Sequence, residues 1–116
     1  MATVLVVDDE PEILAIAAEI LQEGGYRVIE AASPLRALDV LEHEPAVELL
    51  FTDVIMPGMN GFELAQRARA LRPDLRVLYT SGYVRDATEA PGAARMLRKP
   101  WRAAQLEDEV RHALAH

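Results

Sequence analysis

The chain has 116 residues, 51% hydrophobic and only 5% aromatic, with a formal net charge of −7. That size suits a single domain over residues 1–116 with one aliphatic core, and the hydrophobic share excludes a disordered chain. The acidic balance argues against nucleic acid or an anionic membrane as a direct partner, and the lack of cysteine excludes disulfides and thiolate metal sites.

In chain order, Val4 to Val7 is a continuous β-branched and leucine run, as suits a strand buried on both faces. Glu12 to Glu23 has helical period, with Ile13, Leu14, Ile16, Ala17, Ile20 and Leu21 on one face, and Gly24-Gly25 closes it. Arg27 to Ala31 is a second strand. Ser33-Pro34 then starts a helix, serine as cap and proline at the first helical position, with Leu35, Leu38 and Leu41 as its apolar face.

Val47 to Thr52 is the third strand. Phe62 to Arg72 is the third helix, buried through Leu64, Ala65, Ala68 and Leu71 and stopped by Pro73. Arg76 to Thr80 and the weaker Ala94 to Arg98 are strands four and five. Arg102 to Ala115, with Leu106, Val110 and Leu114, is the last helix. Between Val84 and Ala94 one large apolar residue and the Pro91-Gly92 pair predict a fourth helix that is short, frayed or irregular. Alternation of this kind predicts an α/β fold: a doubly wound parallel sheet with helices on both faces.

Ligands of open parallel sheets bind beyond the carboxyl ends of the strands. Asp8 and Asp9 follow the first strand, Asp53 the third, Ser81 the fourth and Lys99 the fifth. If strands one and three are neighbours, three carboxylates meet, and such a group calls for a cation. An all-oxygen site with room for water and phosphate favours Mg2+ over zinc. A lysine and a hydroxyl across from it complete a cradle for a phosphoryl group. Each piece has an ordinary reading as well: a helix cap for Asp8-Asp9, a strand exit for Asp53, a turn for Ser81-Gly82, a solvated charge for Lys99. All four being ordinary at once is improbable.

Four segments carry a resemblance: Val7-Asp8-Asp9-Glu10, the run from Thr52-Asp53 through Met56-Pro57-Gly58 to Asn60-Gly61, Thr80-Ser81-Gly82-Tyr83, and Lys99-Pro100. With them the chain resembles, along its whole length, the receiver domains of two-component response regulators. The resemblance implies a flavodoxin-like sheet of order 2-1-3-4-5 and a phosphoacceptor role for Asp53, supplied by a sensor histidine kinase or a histidine phosphotransfer protein. It also implies Mg2+ held by Asp9 directly, by Asp8 largely through water, by Asp53 and by the Ile55 carbonyl. Lys99 then pairs with phosphoryl oxygens, Ser81 is the switch hydroxyl, Gly82 keeps the approach open, and the bond before Pro100 is cis. Such a domain catalyses its own phosphotransfer and slow autodephosphorylation without being a turnover enzyme. The Ser81-Gly82-Tyr83 turn is similar to those of receivers in hybrid sensor kinases, so the chain is expected to be a stand-alone receiver or part of such a kinase.

The sequence departs from the family where an aromatic commonly stands three residues before the lysine. That position is Met96, so signalling is expected to order residues 84–94 around Ser81 instead. Trp101 replaces a more usual phenylalanine and is expected to pack beside the last helix. Arg67, Arg69, Arg72 and Arg76 are read as a solvated face, and His43, His112 and His116 as solvated side chains. Two rivals are disfavoured. A dehalogenase-type phosphatase wants a second acid where Val54-Ile55 follow Asp53, and a phosphate-blind interaction module would have lost an acid or the lysine. A flavodoxin-like electron carrier lacks its phosphate loop here. The residues Met1 to Val7 lack the basic start and long apolar stretch of a secretion signal, and a cytoplasmic location is expected.

Overall fold

Nine elements arise from that alternation in the computed structural model, which describes residues 1–82 and 95–115. They are β1 (Thr3–Val7), α1 (Pro11–Glu23), β2 (Arg27–Ala31), α2 (Pro34–His43), β3 (Val47–Asp53), α3 (Gly61–Leu71), β4 (Arg76–Ser81), β5 (Arg95–Arg98) and α4 (Ala103–Ala115). The strands form one parallel sheet in the order β2-β1-β3-β4-β5. Strands β1 and β3 are therefore neighbours where the chain reverses its direction of winding. The predicted short or irregular helix over residues 84–94 lies outside the described residues, as does His116.

Side chains alternate across each strand, so the sheet divides two cores. Val4 and Val6 of β1, Leu49 and Phe51 of β3 and Leu78 of β4 pack with Leu14, Ala17 and Leu21 of α1 and with Leu106 and Val110 of α4. Leu5, Val7, Leu50, Val77 and Tyr79 face the other way, against Ala37, Val40 and Leu41 of α2 and Leu64, Ala65 and Ala68 of α3. Partly buried Met96 joins this second layer. Small buried alanines on all four described helices, Ala17, Ala37, Ala65 and Ala113 among them, let backbone come close to the sheet.

The helix ends follow local chemistry. Ser33 Oγ accepts the Arg36 N–H at 3.2 Å, as its spacing predicts. At α3 the cap is Asn60, whose Oδ1 accepts from Glu63 N–H at 2.8 Å; the helix begins one residue earlier than its apolar pattern suggests. Closure of α1 falls to Gly25, at φ +94°, while Gly24 stays right-handed.

Three apolar positions differ from the expected faces. Ile16 is 48% exposed, Leu35 71% and Leu71 46%. In α2 the buried set is Pro34, Ala37, Val40 and Leu41, a stripe rotated about one residue from the leucine pattern. The alanine and valine side facing the sheet can approach it more closely than Leu35 could.

Arg72 also differs. Its guanidinium donates to the carbonyls of Glu44, Pro45 and Val47 at 3.2, 2.9 and 2.6 Å, tying the end of α3 to the entry of β3. It is a clamp rather than a solvated charge. Arg72→Ala is expected to lower unfolding free energy by about 1–2 kcal/mol, since charged hydrogen bonds to partly exposed carbonyls are lost. Urea melts at unchanged slope check this.

Candidate functional site: a carboxylate cluster at the sheet switch point

The alternation that builds the first core continues past the strand ends. Asp8 succeeds Val4 and Val6 on one face of β1, and Asp53 succeeds Leu49 and Phe51 on the same face of β3. Both are buried, at 2% and 6% exposure. Oxygens of Asp8, Asp9 and Asp53 all lie within 4.8 Å of one another.

Each buried carboxylate is held by backbone. Glu10 N–H donates to Asp8 Oδ1 at 2.9 Å, which turns the chain into α1. Val54 N–H donates to Asp53 Oδ1 at 2.9 Å and also reaches the Thr80 carbonyl at 3.1 Å. Thr52 Oγ1 donates to the Asp53 carbonyl at 2.9 Å. Lys99, 17% exposed, crosses from the end of β5: Nζ stands 3.0 Å from Asp8 Oδ2 and 3.4 Å from Asp53 Oδ2. Its own N–H donates to the Ser81 carbonyl at 2.8 Å, and the Lys99–Pro100 bond is cis.

Burial raises the Asp53 carboxyl from its ordinary 3.8 to about 6, with the Asp8 charge adding to the rise and the Lys99 ammonium opposing it. Burial works against the charge on Lys99, yet its hydrogen bond to Asp8 and the carboxylate charges outweigh it and the pKa is raised. A fixed ammonium thus faces a carboxylate that takes up its proton near pH 6 and is mostly ionised at neutrality.

Ile55 sits two residues beyond Asp53 in the loop to α3 with its side chain half exposed. Ser81 ends β4, buried, and belongs by alternation to the face of Tyr79 rather than that of Asp53. A Cβ built on Gly82 meets open space among the described residues.

Two features had no role in the sequence reading. A Cβ on Gly61 would stand 2.3 Å from the Asp53 carbonyl oxygen and 3.0 Å from Val54 Cα, while Gly61 N–H donates to the Val54 carbonyl at 2.8 Å. Only glycine lets α3 start against the backbone of Asp53. Trp101, expected beside the last helix, does pack in that layer, its ring 6.3 Å from Phe51. It also donates Nε1–H to Thr80 Oγ1 at 3.1 Å. The Asn60-Gly61 pair was a visible signal for the first; nothing local in sequence signals the second.

The family model described as the response regulator receiver domain matches residues 4–111. The chain belongs to that family. The receiver is 32% identical to the response regulator receiver protein CpdR of Brucella abortus, over 98% of either chain. It is 37% identical to the sensor kinase CckA of the same organism, spanning 97% of this chain but 12% of the kinase. The crystal structure of a receiver domain from the hybrid histidine kinase CckA superposes with a TM-score of 0.85 at 33% identity, covering 97% of this chain and 99% of that one.

The receiver is a phosphoacceptor domain of two-component signalling, a class that works with histidine kinases or phosphotransfer proteins. Receivers use Mg2+ at an acidic pocket, and the cluster of Asp8, Asp9 and Asp53 is such a pocket. Among the described residues no helix is long and apolar enough to cross a membrane.

Proposed function

We propose that Asp53 is the phosphoacceptor, taking its phosphoryl group from a phosphohistidine of a sensor histidine kinase or a histidine phosphotransfer protein. The observation that carries this reading is the fixed Lys99 ammonium within 3.4 Å of a buried Asp53 carboxylate. A carboxylate oxygen of Asp53 forms a bond to phosphorus as the bond from phosphorus to the donor's imidazole nitrogen breaks, and the imidazole departs on the donor. Lys99 neutralises charge on the transferring oxygens, and the Ser81 hydroxyl, at the last residue of β4 and on its other face, would turn over the strand end to donate to one of them. Gly82 leaves the approach clear.

The donor set fits Mg2+: three carboxylates, no nitrogen or sulfur ligand, and two of the acids buried. Asp9, Asp53 and the Ile55 carbonyl would hold the ion, with Asp8 assisting through water. When bound, Mg2+ offsets negative charge where phosphoryl oxygens meet carboxylates. Turnover of an external substrate is not part of this function; the receiver catalyses its own phosphorylation and a slow hydrolysis of the acyl phosphate. Transfer from a labelled phosphohistidine partner, followed by peptide mapping, tests it: label on the peptide holding Asp53 is the expected result.

A ranking of the metal ligands follows. Asp8 already carries the Lys99 and Glu10 bonds, so Asp9 is the freer direct ligand. Asp9→Ala should weaken Mg2+ more than Asp8→Ala, by about tenfold, or ~1.4 kcal/mol. Calorimetric titration checks the ranking; equal losses would contradict it.

A further inference from the structure

We infer that Thr80 and Trp101 act as a positioning pair that sets the reach of Lys99 toward Asp53. The inference rests on the phosphoacceptor reading of that site and adds residues to it.

Strand register sets Thr80 beside the acceptor. Thr80 is the direct partner of Asp53 across β3 and β4, and of Leu97 across β4 and β5. Partners in a parallel pair face the same side, so the Thr80 side chain stands on the face that bears Asp53. Ser81, the next residue, belongs to the opposite face. Thr80 is buried at 2% exposure; its hydroxyl oxygen accepts the indole N–H of Trp101.

That bond is the second of two ties around one corner. The first joins Lys99 N–H to the Ser81 carbonyl at 2.8 Å. The second lies two residues further on, where the Trp101 ring is braced by Phe51 on the strand of Asp53. Lys99 is thus anchored on both sides to the last two residues of β4. The precision matters because Nζ is shared between Asp8 at 3.0 Å and Asp53 at 3.4 Å. A shift of a few tenths of an ångström in this corner moves the ammonium from one acid toward the other. A phenylalanine in place of Trp101 has no N–H for the tie, and a valine in place of Thr80 has no acceptor, so the two residues are useful only together.

Lys99 is the only lysine in the chain, which makes its amine separately observable. The test uses Thr80→Val, Thr80→Ser, Trp101→Phe and the Thr80→Val/Trp101→Phe double variant. Two readouts are taken: initial rates of phosphorylation by phosphoramidate in saturating Mg2+, and acylation of Lys99 by an amine-reactive ester, located by peptide mass. Thr80→Val and Trp101→Phe should each slow phosphorylation by roughly threefold to tenfold, as misplacement of a charge-stabilising group does. Both should raise Lys99 acylation. The double variant should be no slower than either single one, and Thr80→Ser, which keeps the acceptor, should recover most of the wild-type rate. Wild-type rates and acylation in Thr80→Val and Trp101→Phe would overturn the inference. So would additive losses with Thr80→Ser as slow as Thr80→Val, the pattern of simple packing damage. If the wild-type chain took no phosphoryl group, the reading of Asp53 would fall, while Lys99 acylation would still decide whether the tie holds the lysine.

Discussion

Asp53→Asn is expected to abolish the mass increase of one phosphoryl group that acetyl phosphate and Mg2+ give the wild-type chain. The amide fills the same space and keeps an oxygen for the Val54 N–H bond, so the fold stays intact while the nucleophile is lost. Chelation should remove the gain as completely, because the carboxylates of Asp8, Asp9 and Asp53 would then face the donor's phosphoryl oxygens with no cation to offset their charge. Lys99→Ala should slow the reaction by about 10²-fold, the usual effect of deleting one electrostatic stabiliser of the transition state. Intact-mass spectrometry over a time course reads all three. A mass gain that persists in Asp53→Asn would put the acceptor elsewhere.

The same substitution should make the metal-free protein more stable at neutral pH. Asp53 binds its proton more tightly in the folded state, at about 6, than in the unfolded chain near 3.8. The contribution of the protonated form is therefore fully present below about pH 4 and is lost as pH rises through 6. At pH 7.5 the ionised, buried carboxylate beside Asp8 is a liability that asparagine removes. The expected gain is about 1–3 kcal/mol, from a shift of roughly two pH units with allowance for partial solvation. Thermal melts without Mg2+ should show Asp53→Asn above wild type at pH 7.5 and level with it near pH 4. Adding Mg2+ should stabilise the wild type and narrow the gap, because the ion binds only the folded cluster. A variant that melts below wild type at pH 7.5 without metal would refute this account.

Much of the site was legible because its residues stand at strand ends. Val4 to Val7 and Val47 to Thr52 announce buried strands by composition, and Asp8, Asp9 and Asp53 come directly after them. The switch-point rule then brings the acids together without knowledge of any distance. Local capping chemistry was equally readable at Ser33. What escaped needs partners far apart in sequence. The Arg72 clamp reaches back 25 to 28 residues, and the Thr80–Trp101 bond spans 21. The facing of Thr80 and Asp53 depends on strand register, which pairing decides. The exposed Leu35 is an error of phase: its leucine spacing fits a helix, but Ala37 and Val40 fit the narrow space under the sheet better.

The sheet's partition of the molecule into two cores has a consequence for how such a chain can diverge. Leu14, Leu21, Leu106 and Val110 lie under the face that bears Asp8 and Asp53, whereas Ala37, Leu41, Leu64 and Ala68 lie under the other. Distant sites with no shared partners combine additively, within about 0.5 kcal/mol, and neighbours do not. Epistasis should therefore run within a layer and stop at the strands. Recombining the α2–α3 half of one relative with the α1–α4 half of another should yield folded chimaeras more often than exchanging α1 without α4, because only the second exchange splits a jigsaw of side chains that had adapted together.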